Sequence, residues 1–87
     1  CDGELTLLDN GMSTRVDGDC DVLTLNTTGS QIVADDVTTL QLIGDGNVVI
    51  AGAVETLLVN GEGNIVVWTG DTPAVTDVGS TNVLKAE

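Results

Sequence analysis

The chain has 87 residues, 41% of them hydrophobic, with a formal charge of −12 and only two cations, Arg15 and Lys85. That length makes one small domain, and that hydrophobic content excludes a chain disordered by composition. The charge makes nucleic acid and anionic membrane surfaces poor partners, and no apolar run reaches the ~18 residues of a membrane span.

Val and Thr dominate, Phe and Tyr are absent, and Trp68 is the only aromatic residue. Such a composition favours pleated, half-buried strands. The segment 40–50 aligns with 57–67 at a shift of 17 and without a gap. Repeats of short fixed period predict stacked coils. Five coils follow in chain order: 1–19, 20–36, 37–53, 54–72 and 73–87. The predicted fold is therefore an all-β, single-domain β-solenoid. Five coils give a rod on the order of 24 Å long. The alternative is a small antiparallel β-sandwich, whose short strands and turn signals are similar but which has no reason to repeat itself.

The first coil opens with Cys1, which reads as the start of a mature, processed product. Cys20 opens the second, 19 residues on. Equivalent positions in neighbouring coils lie about 4.7–4.9 Å apart, within the reach of a disulfide. A Cys1–Cys20 bond is the favoured reading and implies an oxidising compartment, extracellular or on the cell envelope. Two free buried thiols, or a lipid anchor on Cys1, are the alternatives.

Each coil carries two strand segments. In the first, alternation places Leu5/Leu7, Leu23/Leu25, Leu40/Leu42 and Leu57/Val59 inward, with Thr6, Thr24, Gln41, Asn26 and Asn60 outward. A glycine corner follows. Asn47, Asn64 and Asn82 recur beside it as a structural asparagine ladder. In the second segment Ile32, Val49, Val66 and Leu84 point inward, followed by Ala34, Ala51, Trp68 and Ala86. The opposite parity places Val33, Val48, Ile50, Ile65, Val67 and Val83 outward, bracketed by Gln31, Arg15 and Lys85. A strand apolar on both faces is usually covered on both, so these six residues are the candidate interface. Pro73 and Lys85 are expected to act as weak edge blockers in the last coil.

Little suggests catalysis. There is no His, and the glycine-rich corner lacks the lysine and helix of a phosphate loop. Asp17, Asp19 and Asp21, and the pair Asp35 and Asp36, sit in turns with nothing to bury a carboxyl and raise its pKa. With Asp9, Asp45 and Glu62 they are oxygen donors suited to calcium, but no recognised calcium loop is present. The expectation is no enzyme, no cofactor and no metal. Asn26-Thr27-Thr28 is an N-glycosylation sequon.

Cys1, Cys20, Gly29, Asn47, Val49, Gly61, Asn64, Val66, Gly79 and Asn82 together resemble an actinobacterial family of secreted proteins and lipoproteins, the domain of unknown function numbered 3060. The resemblance runs from residue 1 to about residue 83. This chain departs from it with Ser30 where the ladder calls for Asn and with Met12 in the first coil. The resemblance implies an envelope or extracellular location and no established activity.

Three functions are expected in descending order. The first is a non-catalytic secreted or cell-envelope module binding a protein through the aliphatic face. The second is a self-assembling subunit of a fibre or surface array. The third is a calcium-dependent or glycan-binding adhesin, which a single Trp and no Tyr disfavour.

Overall fold

The computed structural model describes residues 3–86. Ten strands alternate between two parallel sheets. The first sheet holds β1 (Glu4–Leu7), β3 (Cys20–Asn26), β5 (Val37–Ile43), β7 (Val54–Asn60) and β9 (Ala74–Asp77), in that spatial order. The second holds β2 (Ser13–Val16), β4 (Gln31–Ala34), β6 (Val48–Ile50), β8 (Ile65–Trp68) and β10 (Val83–Ala86). Every pairing is parallel and joins strands one coil apart. The fold is a β-solenoid, and parallel pairing rules out the antiparallel sandwich.

The register explains the imperfect outer repeats. Leu23 pairs with Leu40 and Leu40 with Leu57, steps of 17, whereas Leu5 pairs with Leu23 and Leu57 with Val75, steps of 18. The extra residue falls each time in the corner that leads back to the first sheet, near Gly18 and Gly70. Both glycines have positive φ (85° and 89°), a conformation that costs glycine little.

The inward columns are as the alternation predicts. Leu23, Leu25, Leu40, Leu42, Leu57 and Val59 have no exposed surface, and across the core Ile32, Val49 and Val66 are equally buried. Leu5, Leu7 and Leu84 pack against this core from the outer coils. Trp68 is 4% exposed and fills the space beside Ala34 and Ala51. Its indole N–H has no hydrogen-bond partner among the described residues.

Two expectations need correction. The domain measures 27 × 26 × 18 Å. It is a squat block rather than a rod, because each coil is as wide as the five are deep. Pro73 is buried, so it packs inside the last corner instead of shielding an edge.

Candidate protein-contact face

Two surfaces merit chemical scrutiny, the asparagine corner and the outer face of the second sheet. The corner turns out to be wholly structural. Asn47 and Asn64 have no exposed surface. The Oδ1 of Asn64 accepts the Asn47 backbone N–H at 3.0 Å and the Asn47 Nδ2 at 3.1 Å. Its own Nδ2 donates to the Gly44 carbonyl at 2.8 Å. Asn82 repeats the pattern one coil on, accepting from the Asn64 N–H at 2.9 Å and donating to Gly61 at 3.1 Å. Asn47 does so one coil back, toward Ser30 and Thr27. These amides satisfy backbone groups that the corner leaves without sheet partners, so none is left over for a ligand.

Ser30 does not break the ladder. Its hydroxyl accepts the Met12 N–H at 3.1 Å and hydrogen-bonds to the hydroxyl of Thr27, which in turn donates to the Asp9 carbonyl. Two buried hydroxyls thus replace one amide, one accepting and the other donating. No repeat at a single position signals this substitution, because Thr27 stands three residues before the ladder column.

The corner also dictates glycine. At Gly61 φ is 145°, and an added Cβ would lie 1.8 Å from the Gly44 carbonyl oxygen. Gly44 and Gly79 meet their neighbours' carbonyls as closely. A second column, Gly29, Gly46 and Gly63, has φ of 68°, 65° and 66°, but faces open space. In the fifth coil Thr81 takes this position with φ 59°, a strained conformation for a β-branched residue.

The outer face of the second sheet is an ordered grid. One column runs Ser13, Gln31, Val48, Ile65, Val83, and the other Arg15, Val33, Ile50, Val67, Lys85. All six interface candidates lie on it together. Val33, Ile50, Ile65 and Val83 are 36–46% exposed, and Val48 and Val67 are half-buried between them. The apolar centre spans about 14 Å across four strands and about 7 Å along them. Arg15 closes one end, its Nε 2.8 Å from Asp17 and a terminal nitrogen 3.5 Å from Asp35. Both partners are exposed, so these pairs orient the guanidinium more than they stabilise the fold.

The first sheet's outer face is more polar. Thr6, Thr24, Gln41, Leu58 and Thr76 form its central column, and Thr24 donates to Gln41 Oε1 at 3.4 Å. Asn26, which opens the sequon, is exposed at the end of β3.

The carboxylates expected as oxygen donors are spread along the corners. Among the described residues no three His, Cys, Asp or Glu side chains converge as a metal would require. Asp19, Asp21, Asp36 and Glu55 line an open groove of about 240 Å³, in which each carboxylate remains solvated. Several carboxylates instead bind backbone: Asp35 accepts from the Gly18 N–H, Asp36 from Ala53 and Asp45 from Glu62. Cys20 is buried at the head of β3, whereas Cys1 lies outside the described residues. No protein-family model matches the chain, and comparisons with curated proteins and with solved structures find no match either.

Proposed function

We propose that this protein is a non-catalytic secreted or cell-envelope module that binds another protein through the outer face of its second sheet. One observation carries the reading: six aliphatic side chains occupy two registered columns on the outer face of four consecutive strands. Parallel sheets are normally covered on both faces, and this face is half uncovered. The apolar centre is smaller than the ~800 Å² per partner of a standard interface. A full contact therefore extends onto Gln31, Arg15 and Lys85 as a polar rim.

The proposed location rests on a Cys1–Cys20 disulfide and on the resemblance to the secreted actinobacterial family.

Photocrosslinking in the cells that make the protein tests the face. A crosslinker at position 50 is expected to trap a discrete protein adduct that Ile65→Asp abolishes while leaving the melting curve unchanged. A crosslinker at position 24, on the opposite face, should not trap it. Equal adducts from both positions, or adducts indifferent to Ile65→Asp, would refute the assignment.

A further inference from the structure

The fifth coil places a charge where every other coil has an aliphatic residue. The inward column Leu7, Leu25, Leu42, Val59 continues in register into Asp77. The neighbouring column Leu5, Leu23, Leu40, Leu57 continues into Val75, which is 40% exposed on the edge strand of the described sheet. β9 is the edge strand of its sheet, and β1 is the opposite edge. An edge strand presents unpaired N–H and C=O groups, a template for a further strand. In a head-to-tail contact between two copies, β1 of one would meet β9 of the other. Leu5 would then cover Val75 and Leu7 would cover Asp77, about 4.8 Å away.

On the first sheet that contact is complementary except at Asp77. On the second, β10 would meet β2, placing Leu84 over Thr14, Ala86 over Val16 and Lys85 over Arg15, an exposed like-charge pair of small cost. Arg15 and Lys85 lie on the outer face of the other sheet, so no cation reaches the buried carboxylate. Burying an unpaired charge costs more than the aliphatic contact returns. Nor does the carboxylate swing away freely. Its Oδ1 accepts the Gly79 N–H at 3.1 Å and the Asn82 Nδ2 at 2.8 Å, tying it to the end of the ladder.

We infer that Asp77 is a stop residue that prevents the β9 edge from pairing with the β1 edge of a second copy of this chain. An inward-facing charge on an edge strand is one of the means by which sheets resist edge-to-edge growth. The inference does not depend on the lateral contact face.

Sedimentation velocity on the whole chain tests it with Asp77→Val and, as a charge control, Asp71→Val in the exposed corner before β9. Asp77→Val is expected to give concentration-dependent larger species at total concentrations about tenfold or more below any at which the natural chain associates. Asp71→Val should sediment like the natural chain. Adding Ile50→Asp to Asp77→Val should leave the association intact, because the contact is end-on. A natively melting Asp77→Val that stays at the natural size overturns the inference. So does equal association by Asp71→Val, or loss of association on adding Ile50→Asp. Should Asp77→Val fail to fold, Asp77→Asn keeps the shape and the oxygen acceptor while removing the charge. Its association is expected in the same direction, and natural-size sedimentation by that variant overturns the inference equally.

Discussion

Replacing Asn64 with Ala tests the ladder most directly. The side chain has no exposed surface and makes three hydrogen bonds of 2.8–3.1 Å. Truncation orphans the Asn47 N–H and removes the amide donor from the Gly44 carbonyl. Asn47 Nδ2 keeps its bond to Thr27 and is spared. One buried and one part-buried orphaned group at ~1–3 kcal/mol each give an expected loss of about 3–5 kcal/mol. For a domain of this size that lowers the melting temperature by roughly 12–30 °C, and it consumes much of a total stability of about 4–13 kcal/mol. Urea unfolding followed by fluorescence reads the loss cleanly, since Trp68 is the sole aromatic residue and is buried beside the core. Asn60→Ala, exposed on the same coil, should cost about 0.5 kcal/mol or less. If the two variants unfold at the same urea concentration, the ladder is not what holds the corner.

Three further outcomes follow from the corners and the first coil. Gly61→Ala should abolish soluble folded protein, because its Cβ meets the Gly44 carbonyl; Gly63→Ala, facing open space, should cost only about 1–2 kcal/mol from its left-handed backbone, as read by circular-dichroism melts. Thr81→Gly should stabilise by roughly 0.5–1 kcal/mol, the relieved strain of ~1–2 kcal/mol being partly offset by glycine's greater entropy when unfolded; a lower melting temperature would contradict it. Reduction should destabilise by about 2–4 kcal/mol if Cys1 and Cys20 are bonded, and intact mass with thiol labelling checks the bond itself.

Architecture was legible in the sequence wherever one residue type recurs at one position. The Leu columns, the Asn column and the 17-residue step all have that property, so the stacked coils and the parity of the first strand followed from alternation. The second strand, apolar on both faces, was oriented only by the polar residues Gln31, Arg15 and Lys85 at the ends of its outer columns. Legibility failed where two residues share a job or one residue changes it. Ser30 reads as a gap in the ladder until Thr27 is seen to supply the donor. Asp77 reads as one more acidic residue until the extra residue near Gly70 is counted, which moves it from a turn into the Leu42–Val59 column. Pro73 suggests an exposed edge, yet the same lengthened corner folds it inward. The aliphatic grid was visible as an outward parity of Val and Ile, but its ordering into two registered columns came only from the strand pairing.

The strictly parallel pairing also shapes how the chain reaches this structure. No strand pairs with its sequence neighbour, so no hairpin is available as a fast local nucleus. Every sheet contact closes a loop of 17 or 18 residues, a relative contact order of about 0.2, which belongs with domains that fold in milliseconds to seconds. A single coil gains nothing until its neighbour is in place, and the cost of the first pair is recovered only as later coils dock. During synthesis each coil must therefore wait for the next to emerge, with its aliphatic columns exposed in the meantime. Fourteen acidic residues against two basic ones keep those waiting chains apart through mutual repulsion. That gives the chain's charge a role in its birth as well as in its solubility.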